Sequence, residues 1–189
     1  IVKAATSRDG KIAAAPGVRT AITSSAANRR TQRLRGAVDA VGVGAGTVLA
    51  DDPVLTARDC YRVRPLARVV FDRRLRTPTD ARLFEDEMVP VWFICAADES
   101  EANASALQQL GAEIIPVAID SHGHPAIREA LDQLARRGIT RLLVEGGPSV
   151  AHVMLDADLV DEAVIYQGST AAGSDGLLPF VSEGLDRLT

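Results

Sequence analysis

Cysteine and long apolar runs are scarce in this chain. Only Cys60 and Cys95 occur in 189 residues, too few for a disulfide framework, and they form no C-x-x-C pair. A reducing cytoplasm fits that usage. No apolar run approaches the roughly 20 residues that span a bilayer, so a soluble chain with no membrane partner is expected. Basic charge is also short: 21 Lys and Arg against 25 Asp and Glu leave a formal charge of −4, which argues against a nucleic-acid surface. His122, His124 and His152 are read with no carboxylate or thiolate at a zinc-site spacing. Loop and surface positions are expected for them, and no metal. The chain begins at Ile1 with no charged leader ahead of an apolar stretch, and no secretion signal is read there.

What is present is alternation. Seven short segments are dense in Val, Ile and Ala: Val2–Ala5, Ala40–Val43, Ala67–Phe71, Val91–Cys95, Glu113–Ala118, Arg141–Val144 and Ala163–Tyr166. Runs of this length and apolarity predict strands buried on both faces. Helices are predicted between them over Ser25–Arg35, Ser100–Leu110, Ala126–Arg137 and Ser149–Ala157. In the third, Ile127, Leu131 and Leu134 recur at i, i+4, i+7 and form one apolar stripe. With 47% hydrophobic residues and no internal repeat or linker, one α/β domain is expected over 1–189. Its mainly parallel central sheet would carry helices on both faces and gather ligands at the C-terminal ends of the strands.

Two Gly-rich turns each follow a strand and lead into a helix: Gly42-Val43-Gly44-Ala45-Gly46-Thr47 and Glu145-Gly146-Gly147-Pro148-Ser149. Free N–H groups and the helix dipole favour a phosphate there, although glycine equally serves ordinary tight turns. The first turn lacks the third Gly of a Rossmann fingerprint, since Leu49 stands in its place, and it is not a P-loop. Asp72 ends a strand and is followed by Arg73 and Arg74, where a cation suits a ribose 2′-phosphate; an exposed charged turn is the plainer alternative. Ser7-Arg8-Asp9-Gly10-Lys11 reads as a turn. In the run Thr47–Arg58, TVLADDPVLTAR, the acids Asp51-Asp52 suit metal binding, acid–base work or ribose hydroxyls, or simply a turn before Pro53.

Taken in order, four segments resemble one family. They are Val2-Lys3-Ala4-Ala5-Thr6-Ser7-Arg8-Asp9-Gly10-Lys11-Ile12-Ala13, then Ile22-Thr23-Ser24 through Leu34-Arg35. Val38-Asp39-Ala40 through Leu55-Thr56-Ala57-Arg58 follows, and last Leu143-Val144-Glu145-Gly146-Gly147-Pro148 through Leu159-Val160-Asp161-Glu162. The set is similar to the C-terminal reductase domain of the bifunctional riboflavin-biosynthesis deaminase/reductase family. That resemblance implies a fold like dihydrofolate reductase, NADPH as hydride donor, and 5-amino-6-(5-phosphoribosylamino)uracil as substrate, whose opened ribose is reduced to a ribityl chain. It also implies a homodimer.

Carried over by position, Ala5, Ala21, Thr47, Asp51, Arg73, Gly146, Gly147, Pro148, Ser149 and Val150 are expected cofactor contacts. Lys3, Arg19, Arg35, Leu55, Arg58 and Glu145 are expected substrate contacts. Lys3, Asp51 and a water are candidate proton donors; Arg58, then Arg35, are candidates for the substrate phosphate. Arg19 and Ala21 stand where the family usually carries a small polar residue and a Trp. The alternatives are therefore a same-fold reductase of another pyrimidine or pterin-like molecule, and a non-catalytic nucleotide-binding module. The family pattern runs about two strands past Thr189, and the zinc-deaminase motif is not found in these residues.

Overall fold

The computed structural model describes residues 1–15, 20, 22–98, 101–120 and 123–178. The seven expected strands form, each end within one residue of expectation: β1 (Val2–Thr6), β2 (Ala40–Gly44), β3 (Ala67–Phe71), β4 (Val91–Ala96), β5 (Glu113–Val117), β6 (Leu142–Glu145) and β7 (Ala163–Gln167). They build one sheet in the order β5-β4-β3-β2-β6-β1-β7, and every pairing between these seven strands is parallel.

The helices are α1 (Ser25–Gly36), α2 (Ala45–Asp51), α3 (Glu101–Gln108), α4 (Ile127–Arg136) and α5 (Pro148–Asp156). The second Gly-rich turn leads into α5. The first leads into α2, whose extent was hidden inside the TVLADDPVLTAR run because seven residues are too few to show a helical period.

Alternation along the strands divides the core into two layers. Val69, Phe71, Ile94 and Val144 point to one face and pack with Ala130 and Leu134 of α4 and Met154 and Leu155 of α5. Their neighbours Val70, Phe93, Cys95 and Leu143 point to the other and pack with Leu34 of α1, Val48 of α2 and Leu107 of α3. A strand buried on both faces has no polar side to show, so its sequence is a continuous apolar run. Arg68 of β3 is the exception. It is fully buried and donates through Nη1 to the Leu83 carbonyl at 2.5 Å, and burial lowers its pKa while Asp86 and Glu85 oppose that.

The order also creates a switch point. From β2 the chain winds outward through β3, β4 and β5, then returns to insert β6 between β2 and β1. The C-terminal ends of β1, β2 and β6 therefore meet in one crevice, the usual ligand position in an open α/β sheet.

Candidate active site

Sheet register brings the first two site residues together. In the parallel pairing of β1 with β6, Lys3 stands opposite Glu145, and their side chains approach to 4.0 Å. Glu145 is only 8% exposed. A carboxylate so buried requires charged partners, and α1 supplies the main one. Arg35 grips it through Nε to Oε1 at 2.7 Å and Nη2 to Oε2 at 3.1 Å, and donates from Nη1 to the Thr56 carbonyl at 2.8 Å. Lys3 lies 5.7 Å from the Tyr166 ring centre. Burial holds its ammonium below the ordinary lysine pKa, Glu145 opposes that shift, and Arg35 adds to it.

Arg35 faces the cleft because of where α1 starts. Ser24 caps the helix by accepting from the Ala27 N–H, and Asn28, Thr31, Gln32 and Arg35 then fall on one side at i, i+3, i+4, i+7. All four line the cleft. Gln32 Oε1 accepts from the Arg58 N–H at 2.7 Å. Asn28 and Gln32 were missed in the sequence; polar residues at helical spacing from Arg35 were the available signal.

The glycine turns lie side by side. Gly147 donates to Thr47 Oγ1 at 2.9 Å, joining the two helix starts across 100 residues. Gly146 has φ +95, and an added Cβ would stand 2.5 Å from Thr47 Oγ1; conformation and space both demand glycine. Gly147 is therefore not a free phosphate donor, as the turn had suggested. Free N–H groups remain in the first turn of α5, where Gly147 provides no side-chain cap and Pro148 occupies the first position. The N–H groups of Ser149 and Val150 have no intrahelical acceptor there. The start of α2 at Gly44 is likewise uncapped and lines the same cleft.

Both paired acids line the cleft. Asp51 ends α2, and Asp52 adopts φ 41 and accepts from the Arg82 N–H at 2.8 Å. Leu55 is also left-handed, at φ 54, a strained state for a leucine. Its side chain is buried in the core, so the cleft meets chiefly its backbone. That kink turns the chain toward Arg58, whose guanidinium is exposed and makes no hydrogen bond or ion pair with the described residues.

At the far end the Asp72 turn needs correction. Asp72 is fully buried; its Oδ2 accepts from the Thr77 N–H at 2.8 Å and hydroxyl at 2.9 Å. This closes the turn so that Arg73 and Arg76 line the cleft and Arg74 does not. Arg76 Nε lies 3.9 Å from Asp72 Oδ1. The expected Arg73–Arg74 pair is therefore Arg73 with Arg76, because the positive φ of Leu75 (48°) turns the chain between them.

Of the histidines, His122 lies outside the described residues. His124 and His152 each have an acid four residues away: His124 Nδ1 is 3.9 Å from Asp120, and His152 Nε2 is 3.1 Å from Asp156. Among the described residues no group of three potential ligands surrounds a metal position. The Ser7–Lys11 turn is stabilising: Asp9 accepts from the Ser7 hydroxyl at 2.5 Å and from the Ala172 and Gly173 N–H groups at 2.9 Å. The Ser7 bond, and then those two, hold its carboxyl well below the usual range.

Lys3, Ala5, Arg35, Thr47, Asp51, Leu55, Arg58, Arg73, Glu145, Gly146, Gly147, Pro148, Ser149 and Val150 thus line one cleft of about 1080 Å³. Arg19 and Ala21 lie outside the described residues.

The chain is similar to known proteins along its length. The family profile of the RibD C-terminal domain matches residues 1–189. The riboflavin biosynthesis protein RibD of Bacillus amyloliquefaciens is 37% identical over 165 residues, 87% of this chain and 44% of that protein. The 2,5-diamino-6-ribosylamino-4(3H)-pyrimidinone 5′-phosphate reductase of Archaeoglobus fulgidus is 34% identical over 182 residues, 91% of this chain and 80% of that protein. Among solved structures, Acinetobacter baumannii RibD superposes with a TM-score of 0.79 at 27% identity, covering 96% of this chain and 49% of that one. The chain thus spans about half the length of the RibD relatives it matches. Matched by that profile along its whole length, the chain belongs to the RibD C-terminal domain family.

Proposed function

We propose that this chain is an NADPH-dependent reductase of a phosphorylated ribosylamino-pyrimidine in riboflavin biosynthesis, with 5-amino-6-(5-phosphoribosylamino)uracil as its substrate. The observation that carries this reading is the joining in one cleft of uncapped helix starts, an arginine end and a buried Lys3–Glu145–Arg35 floor. The residues fit the cofactor. The α5 start suits a diphosphate, and Arg73 with Arg76 suit the 2′-phosphate that separates NADPH from NADH.

When bound, NADPH supplies a hydride to the anomeric carbon of the opened, imine form of the ribosyl group; the imine nitrogen takes a proton. Lys3 is the donor we favour, because its ammonium sits desolvated at the cleft floor and a lowered pKa eases proton release near neutrality. Glu145 accepts from the N–H groups of the pyrimidine on lone pairs that Arg35 leaves free. Arg58, exposed and without an acid partner, binds the substrate phosphate.

The Archaeoglobus relative is named for a diamino-pyrimidinone phosphate, so the deaminated uracil and the undeaminated pyrimidinone are the two substrates to compare. NADPH consumption with each decides. Turnover of the uracil supports the reading, faster turnover of the pyrimidinone reassigns the substrate, and no turnover of either overturns it. The proposed protein is cytoplasmic, in keeping with its two free cysteines, and a homodimer, as the resemblance implies; sedimentation of the purified chain tests the dimer.

A further inference from the structure

After Leu55 the chain runs as a strap along the C-terminal half of α1, bonded to it at every second residue. The Thr56 carbonyl accepts from Arg35 at 2.8 Å, and the Arg58 N–H donates to Gln32 Oε1 at 2.7 Å. The Cys60 thiol reaches the Gln32 carbonyl at 3.5 Å, and the Arg62 guanidinium donates to the Arg35 and Val38 carbonyls at the helix end. Asp59, Tyr61 and Val63, between and beyond these contacts, are exposed. The strap lies so close that a Cβ added at Gly36 would stand 2.9 Å from Cys60 Sγ.

Within the strap, Thr56 to Arg58 are bracketed by two left-handed residues, Leu55 at φ 54 and Asp59 at φ 56. Such a backbone keeps its shape only where its surroundings over-determine it. The bond from Gln32 acts on the backbone of Arg58 itself, whose guanidinium lines the cleft without a bond of its own to the described residues. We propose that Gln32 is a positioning residue for the reaction: by accepting from the Arg58 N–H it pins the strap to α1 and holds the Arg58 guanidinium where the substrate phosphate binds. The phosphate rests on the reductase reading; the pin does not. Gln32 also lines the cleft, so a direct contact of its own amide with the phosphate is the role to be told apart.

The pin is measurable without turnover, by amide hydrogen exchange in ¹⁵N-labelled protein. In the wild type the Arg58 N–H should exchange at least about tenfold more slowly than in an unfolded chain. Gln32→Met has a similar length and no acceptor, and in it that protection should be lost while the core strands stay protected. Gln32→Ala, also a good helix former, takes its place should Gln32→Met not fold.

Kinetics give the second readout. Gln32→Met should raise KM for the phosphorylated substrate about threefold to tenfold, the range of one neutral hydrogen bond, with kcat nearly unchanged and little effect on the dephosphorylated substrate. Added to Arg58→Ala it should cost nothing further, because a residue that acts through Arg58 has no effect once Arg58 is gone. An unprotected Arg58 amide in the wild type overturns the proposal, and so does an equal loss with both substrates. A phosphate-specific loss that persists in full beside Arg58→Ala makes Gln32 a direct ligand and overturns it as well. If the wild type reduces no ribosylamino-pyrimidine, the reductase reading fails alone, and the exchange measurement still decides whether Gln32 pins the strap.

Discussion

The two ends of the cleft solve opposite electrostatic problems. At the floor, Lys3, Arg35 and Glu145 are nearly buried, and each satisfies another. At the rim, Arg58 and Arg73 are exposed and carry no acid partner among the described residues, while Arg76 has only a 3.9 Å contact with Asp72. Burial makes an unpaired charge expensive, so the floor is closed upon itself. Water solvates the rim at little cost, so its cations stay available to an incoming anion. The protein's own stability is therefore expected to depend on the floor charges and not on those of the rim.

The strongest way to break this contrast is at the floor. Glu145→Gln leaves Lys3 and Arg35 without their carboxylate, and removing one member of a buried ion pair costs about 3 kcal/mol or more. The variant should unfold at clearly lower denaturant concentration as well as lose activity; an unchanged midpoint would show that the floor charges are solvated after all. Arg58→Ala, at the rim, should do the reverse. Its folding stability stays near wild type, while kcat/KM for the phosphorylated substrate falls roughly tenfold to a hundredfold, the ~1.5–3 kcal/mol of a hydrogen bond to a charged group. An equal loss with dephosphorylated substrate would remove Arg58 from the phosphate site.

The cofactor rim offers a finer distinction. Arg73→Ala with Arg76→Ala should reduce the preference for NADPH over NADH by about tenfold, whereas Arg74→Ala should leave it unchanged. Competition between the two cofactors measures this, and an effect of Arg74 equal to that of Arg76 would undo the assignment of the turn. The smallest effect is expected at the link between the helix starts. Thr47→Val removes the acceptor for the Gly147 N–H and should cost about 1 kcal/mol. Weaker NADPH binding is expected alongside the lower stability, and calorimetric titration of NADPH would show whether that link matters to the ligand.

The sequence by itself determined the strands, most of the helices and the family. Apolar runs such as Ala67–Phe71 and the stripe Ile127, Leu131, Leu134 record local periods, and a period is legible wherever neighbouring residues share an environment. The glycine turns were legible too, because Gly146 answers to a backbone angle and to one neighbour's hydroxyl. Tertiary structure decided which charges meet. Arg35 and Glu145 lie 110 residues apart, and nothing in either segment announces their pairing; it arises because β6 inserts beside β1 and lays α1 across the same crevice. The choice of Arg76 over Arg74, the diversion of Asp52 to Arg82 and the commitment of the Gly147 N–H to Thr47 have the same origin. Each depends on positive-φ turns or contacts between distant segments, and the identity of an isolated charged residue carries no information about either.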